Sequence, residues 1–285
     1  GVHSGDATIV YPTQTIEPHQ LKKAKDYGSK IVRSLNLNGP FNIQFLVKGD
    51  QVKVIECNAR ASRSFPFVSK VSGVNLAKIA TKILLGTSFS SNDITIKNKE
   101  RVGVKSPMFS FNRLDGVDPK LRVEMSSTGE VGCISESLEN SLLLSTESVG
   151  LKKPKKGILI ISEGQEGNPL TRKIIDKSFH LGLPVTTNFK IKKDFLNNAE
   201  FEEVEENKDQ LDKLSKDLEN KKIDLVINLI GKDLPKKFNF GKEIRKIAIK
   251  YNCPLITNTE LASAFLNGVY LNSSSKKSEG VHYLQ

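Results

Sequence analysis

The chain has 285 residues, 38% hydrophobic and 26% charged, an ordinary globular balance at a length that suits two domains. Lysine and arginine outnumber aspartate and glutamate by 43 to 32, a net charge of +11 with a pI near 9.4. The excess is mostly lysine dispersed along the chain, with no tryptophan and no interleaving of aromatic and basic residues. This argues for a solvated surface or attraction to anionic metabolites and against nucleic acid; no apolar run reaches the roughly 18 residues of a membrane span.

The cysteines, Cys57, Cys133 and Cys253, are far apart in apolar contexts and form no C-x-x-C pair. They read as reduced core residues of an intracellular compartment. His3, His19, His180 and His282 do not cluster, which argues against a zinc site. The chain opens on Gly1 rather than Met, without a signal peptide, and its first methionine is Met108. The expectation is a fragment or a processed chain, with targeting information upstream.

In chain order, GVHSGD precedes an apolar run from Ala7 to Tyr11. Gly1 permits close backbone approach to a ligand, and His3 and Ser4 add polar groups. The same residues also fit an ordinary strand entrance. Residues 17–36 read as a helix, with Leu21, Ala24, Ile31, Val32 and Leu35 forming its apolar stripe and Pro12 and Pro18 bounding its start.

Residues 41–63, FNIQFLVKGDQVKVIECNARASR, read as a β-hairpin around Lys48-Gly49-Asp50. Strict alternation groups Val52, Val54, Glu56 and Asn58 on one face of the second strand. A symmetric two-residue turn sets Gln44 opposite Ile55. A three-residue loop over Gly49 to Gln51, or a bulge, sets it opposite Glu56, and this register is preferred because it gathers Gln44, Glu56 and Asn58. A glutamate following Val54-Ile55 is expected to be buried, and buried carboxylates need a partner. One carboxylate with two amide carbonyls is a hard-oxygen set of the kind that Mg²⁺ completes with water and nucleotide phosphate. Arg60 and Arg63 follow, and guanidinium forks suit phosphate oxygens. A hairpin with a merely polar solvent face fits the same pattern.

Ser64 to Lys70 is expected to be a loop, with Phe65, Phe67 and Val68 as packing residues, and Val74 to Leu85 a helix ending at Gly86. Residues 87–100 read as a polar surface loop. Arg101 to Lys105 is a candidate strand, followed by a turn at Leu114-Asp115-Gly116 and the stretch SSTGEVGCI, none with an assignable chemical role. The basic, proline-containing LKKPKK at 151–156 marks a boundary near Lys155.

Beyond it the pattern alternates. Strands are expected at 157–161, 183–187, 223–230 and 254–257, and helices at 169–181, 209–220, 241–251 and 260–266, which implies a parallel sheet covered on both faces. Such sheets bind ligands at the carboxyl ends of their strands, here Thr186, Thr187 and Asn188, then Asn228, then Thr257, Asn258 and Thr259. The same residues also fit simple strand termini.

The segment NIQFLV…VIECNARASRSFPFVSK resembles the metal-binding hairpin of the second ATP-grasp module in the large chain of carbamoyl phosphate synthetase, and GVHSGDA resembles that module's nucleotide strand. The second half resembles that chain's terminal methylglyoxal-synthase-like regulatory domain, with Lys190 where the family's T-x-x-T signature has a hydroxyl. The resemblance implies an α/β protein: the C-terminal lobe of an ATP-grasp module at 1–86, the remainder of the synthetase unit and a linker at 87–154, and a doubly wound parallel-sheet allosteric domain at 155–285.

It further implies an ATP-dependent ligase that phosphorylates carbamate. Gly1, Val2, His3 and Ser4 would contact the nucleotide. Gln44 and Glu56 would hold triphosphate and Mg²⁺ or Mn²⁺, Asn58 would complete a metal position, and Arg63 would neutralise the transferred phosphoryl group. Thr186, Thr187, Lys190 and Asn228 would bind an effector, N-acetylglutamate or a nucleotide. The implied partners are ATP, carbamate, the synthetase chain upstream and a glutaminase subunit or domain. The chain end at Gln285 suggests the stand-alone ammonia-type enzyme, and hence a mitochondrial location ahead of a cytoplasmic one. The rivals are another ATP-grasp ligase, such as a biotin-dependent carboxylase, and a regulatory fragment with an inactive grasp lobe.

Overall fold

The computed structural model describes residues 3–96, 100–114, 116–191, 200–231 and 239–274. The chain forms two compact units, one of Ile9–Lys105 with Ile134–Leu138, the other of Gly1–Thr8, Ser106–Cys133 and Glu139–Gln285. Among the described residues no helix is long and apolar enough to cross a membrane.

The first unit opens with strand β1 (Ile9–Tyr11) and helix α1 (Pro18–Ser34). Pro18 suits the first turn, where its missing N–H has no helical partner. Gln20, the buried residue of α1, donates to the Gly49 carbonyl at 2.9 Å, and its Oε1 accepts from the Glu17 N–H at 2.8 Å. One side chain thus caps the helix and ties it to the turn between β2 (Asn42–Lys48) and β3 (Gln51–Asn58).

The expected loop at 64–70 is instead helix α2 (Phe65–Ser72), closed by Gly73 at φ 70°. Pro66 sits in its first turn, where proline is tolerated. Phe67 and Val71 are buried from this helix. Helix α3 (Leu76–Leu84) starts at Asn75, whose side chain accepts from the Lys78 N–H at 2.9 Å. Strand β4 (Val102–Met108) pairs antiparallel with β1, Val10 opposite Val104. A Cβ at Gly103 would meet Val71 and Phe67, so glycine is what lets α2 lie directly on this strand.

Strand β5 (Gly129–Ser135) leads to helix α4 (Leu138–Ser148), which sequence periodicity did not announce. Ser141, Ser145 and Thr146 of α4 are buried, so its inner face is not apolar in the usual sense. Thr146 and Ser148 donate to the carbonyls of Leu142 and Leu144, both at 2.7 Å, which satisfies their hydroxyls within the helix.

The second unit is built on a five-stranded parallel sheet of order β10-β9-β6-β7-β8. In chain order its elements are β6 (Ile158–Ser162), α5 (Pro169–His180), β7 (Val185–Thr187), β8 (Phe201–Glu203), α6 (Lys208–Glu219), β9 (Leu225–Leu229), α7 (Phe240–Lys250), β10 (Leu255–Ile256) and α8 (Thr259–Ser274). The expected alternation is present, with β8 as an unanticipated edge strand and the last helix running on past Leu266. Ile158 and Ile160 pack with Ile174 of α5 and Phe265 of α8, while Leu159 and Ile161 pack with Leu218 of α6 and Ile244 of α7. Both faces of β6 are therefore covered, which explains its unbroken apolar run. The strand order reverses direction between β6 and β9, so a crevice is expected at their carboxyl ends.

Candidate functional site

The hairpin reaches the preferred register through a bulge and not through a longer loop. Lys48 pairs with Gln51 across a two-residue turn at Gly49-Asp50, with Gly49 at φ 52°, so the expected three-residue loop is absent. The pairing of Gln44 with Glu56 comes from a bulge: Phe45 faces Val54, Gln44 faces Glu56, and Ile55 is the extra residue. The bulge also corrects the face assignment. Val52 and Val54 stand opposite Val47 and Phe45, on the face away from Gln44, Glu56 and Asn58.

Asn58 sits opposite Asn42, and its Nδ2 donates to Glu56 Oε1 at 3.1 Å. Gln44 and Asn58 are half-buried, but Glu56 is exposed, contrary to expectation. The bulge frees it from the alternation that suggested burial. The face thus offers one accessible carboxylate and amide oxygens. That set fits Mg²⁺ only in part and leaves positions for water and phosphate. Among the described residues no group of three His, Cys, Asp or Glu is placed to hold a metal by itself. Arg63 is exposed and immediately precedes the Ser64 cap of α2, while Arg60 Nη1 donates to the Ala61 carbonyl at 3.2 Å.

Gly1 and Val2 lie outside the described residues. Exposed His3 accepts from the Gly5 N–H at Nδ1, 3.0 Å, and its own N–H donates to the Arg122 carbonyl at 3.3 Å. Half-buried Ser4 opens a short turn ending at Asp6. Sequence reasoning passed over Asp6, which is 3% exposed and accepts from the backbone N–H groups of Ser126 and Ser127, both at 2.9 Å. Burial raises its pKa, but the Ser126 and Ser127 hydrogen bonds and the nearby His3 outweigh this and hold the carboxyl below its ordinary range. An acidic residue closing a Gly-containing turn was the available signal.

In the second unit the register divides the expected effector residues. Thr186 pairs with Leu159 and Asn228 with Ile161, which places them on one sheet face; Thr187 pairs with Ile160, on the other. Thr187 is fully buried and its Oγ1 donates to the Phe189 carbonyl at 2.7 Å, while Lys190 is exposed. Asn188 links strand ends, accepting from the Ser162 N–H at 2.8 Å and donating to the Ser162 carbonyl at 2.9 Å.

Asn228 is also fully buried, and its Oδ1 accepts from Arg245 Nη1 at 2.5 Å. Arg245 itself is 2% exposed. Its Nε and Nη2 donate to Asp118 Oδ1 and Oδ2 at 2.7 and 2.8 Å, and Nη1 also donates to Glu163 Oε1 at 2.6 Å. Burial lowers the Arg245 pKa, and the Asp118 and Glu163 carboxylates more than reverse this. For Asp118, burial raises the pKa, while Arg245, the Lys120 N–H and the Lys242 charge together hold it below its ordinary value. Sequence reasoning missed this cluster; Asp118 and Arg245 are 127 positions apart.

Residues 1–92 match the family described as the carbamoyl-phosphate synthase L chain, ATP binding domain. The human carbamoyl-phosphate synthase (ammonia), mitochondrial, is 38% identical over 301 residues, covering 100% of this chain and 20% of the human protein. Multifunctional protein pyrABCN of Emericella nidulans is 39% identical, covering 94% of this chain and 12% of that protein. Multifunctional protein URA2 of Saccharomyces cerevisiae is 37% identical, covering 98% and 13%. The chain thus spans a fifth or less of these relatives. A biotin carboxylase from Campylobacter jejuni overlays with a TM-score of 0.39 at 14% identity, over 49% of this chain and 38% of that one.

Proposed function

We infer that this chain, homologous along nearly its whole length to part of the carbamoyl-phosphate synthase large chain, serves a ligase that uses ATP to phosphorylate carbamate and releases carbamoyl phosphate. The observation that carries the reading is the hairpin face on which Gln44 stands opposite Glu56 and Asn58 bonds to Glu56. A bound Mg²⁺ or Mn²⁺ would neutralise triphosphate charge there, held by Glu56 with Gln44 and Asn58. Arg63 would bind oxygens of the transferred phosphoryl group as its charge spreads. No covalent intermediate with the protein is needed, because phosphoryl transfer is served by positioning and electrostatics.

Gly1, Val2, His3 and Ser4 would contact the nucleotide, with Asp6 fixing their turn. The upstream synthetase chain would supply the rest of the ATP site, so this chain alone is expected to make no carbamoyl phosphate. We divide it functionally into 1–86, the end of an ATP-grasp module, 87–154, the remainder of the synthetase unit, and 155–285, an effector-binding domain. A mitochondrial location, as in the human relative's name, goes with ammonia as the nitrogen donor, and a glutaminase partner goes with glutamine as the donor. The test is carbamoyl phosphate formation by the intact protein carrying Glu56→Gln; an unchanged rate refutes the metal-site assignment.

For the effector domain, the proposed ligand is anionic, N-acetylglutamate or a nucleotide, bound at the strand ends near Thr186, Thr187, Lys190 and Asn228. Two of those side chains are buried, so binding there requires local rearrangement. Calorimetric titration of the chain with N-acetylglutamate and with uridine and inosine nucleotides tests this. Binding that survives Thr187→Ala with Lys190→Ala places the effector elsewhere.

A further inference from the structure

The point between β6 and β9 where the sheet reverses its strand order is where parallel sheets take anionic ligands. Here that point holds a buried guanidinium. Arg245 reaches it from α7, Asn228 lies on β9, and Glu163 directly follows β6. A Cβ at Gly241, in the first turn of α7, would collide with the Glu163 carboxylate, so that carboxylate lies against the start of the helix, the end that favours negative charge. Asp118 differs from the other members because it belongs to no strand or helix of this sheet. It arrives from a distant segment and grips the Nε–Nη2 edge of the fork with both oxygens. Its side chain is 21% exposed and that of Glu163 19%, where that of Arg245 is 2%, so both carboxylates reach toward solvent, and Asp118 is set apart by coming from outside the sheet and holding one edge of the fork alone.

We propose that the Nε–Nη2 edge of Arg245 is an anion site which Asp118 occupies as an internal carboxylate, and that an external carboxylate or phosphate binds by taking the place of Asp118. A carboxylate matches the fork in the geometry that Asp118 already shows, and a phosphate presents the same two oxygens. Glu163 and Asn228 hold the rest of the guanidinium throughout, so Arg245 is never left without partners. Exposed Lys242, whose charge acts on Asp118, adds attraction for an incoming anion. This deepens the effector reading by naming the group an effector would engage, and it rests on that reading only for the identity of the ligand.

The test uses the whole chain with Asp118→Ala and Asp118→Asn. Thermal unfolding is followed with acetate, with inorganic phosphate and with chloride at matched ionic strength. Acetate and phosphate are expected to raise the midpoint of Asp118→Ala well above chloride and to leave the wild-type midpoint nearly unmoved. Equal effects on both proteins, or on neither, overturn the proposal. Asp118→Asn keeps the shape of the site and one acceptor, which covers the case in which the alanine variant fails to fold. By calorimetry it is expected to bind N-acetylglutamate or UMP at least about fivefold more tightly than wild type. Binding to wild type that neither substitution changes overturns the proposal and leaves the effector reading standing. Acetate rescue without binding of any effector supports the anion site and removes the effector reading.

Discussion

The hairpin at Gln44–Asn58 and the guanidinium cluster around Arg245 are both polar constellations on an α/β framework, yet they are built in opposite ways. The hairpin brings its groups together across two adjacent strands and leaves its one carboxylate exposed. The cluster gathers Asp118, Glu163, Asn228 and Arg245 from four separate parts of the chain around a buried charge. An exposed carboxylate is free to take a metal and contributes little to folding. A buried guanidinium must be satisfied at all times, so a partner can leave it only when another anion takes its place. Chemistry that turns over is placed where solvation is cheap to exchange, whereas the buried guanidinium admits only exchange of one anion for another.

The largest effect expected of this contrast is on stability. Arg245→Ala leaves Asp118 and Glu163 without their cation, and denaturant unfolding should show a loss of about 3–5 kcal/mol. A loss under about 1 kcal/mol would put the cluster on a par with surface pairs and dissolve the contrast. Glu56→Gln should do the reverse. In the intact protein it should slow carbamoyl phosphate formation at least about tenfold, equivalent to about 1.4 kcal/mol of barrier, while unfolding of the chain shifts by less than about 0.5 kcal/mol. A large stability loss there would mean that Glu56 is structural.

Acid should discriminate next. Asp118 and Asp6 have folded pKa values below their ordinary range, so the stability they contribute is complete above the unfolded value of about 3.9 and is lost as pH falls through the lower folded values. Asp118→Asn should therefore flatten the acid limb of a stability–pH curve, and an unaltered limb would count against the pairing. The smallest effect is chemical. Burial pushes the Cys253 thiol up to about 12, whereas Cys57, in β3, is half-buried. A thiol reagent at pH 8 should modify Cys57 well before Cys253 in the folded chain, and equal rates would show that the sheet's interior opens readily.

Much of this architecture was legible from residue patterns. Ile158–Ile161 and Leu225–Leu229 read as doubly covered strands because both faces of a parallel sheet are apolar, and the helices between them carry period-3.6 stripes. Local exceptions to the pattern escaped. The stretch 64–70 read as a loop but is helical, its proline lying in the first turn, where it forfeits no hydrogen bond. Helix α4 buries Ser145 and Thr146, whose hydroxyls both donate to the Leu142 carbonyl of the same helix. A bulge was one of the two routes to the Gln44–Glu56 register, but its place at Ile55 escaped because alternation records which residues differ in polarity, not where the backbone inserts an unpaired one.

By itself the sequence determined the α/β class and the hairpin, because these rest on interactions between near neighbours whose geometry has period two or 3.6; it favoured the pairing of Gln44 with Glu56, and the bulge at Ile55 decided it. Only the tertiary structure decided that Glu56 is exposed, that Thr187 and Asn228 face opposite sides of their sheet and are both buried, and that Arg245 carries Asp118, Glu163 and Asn228. Exposure and long-range ion pairing depend on which segments the fold lays over one another. Residues 127 positions apart leave no periodic trace of the contact that joins them.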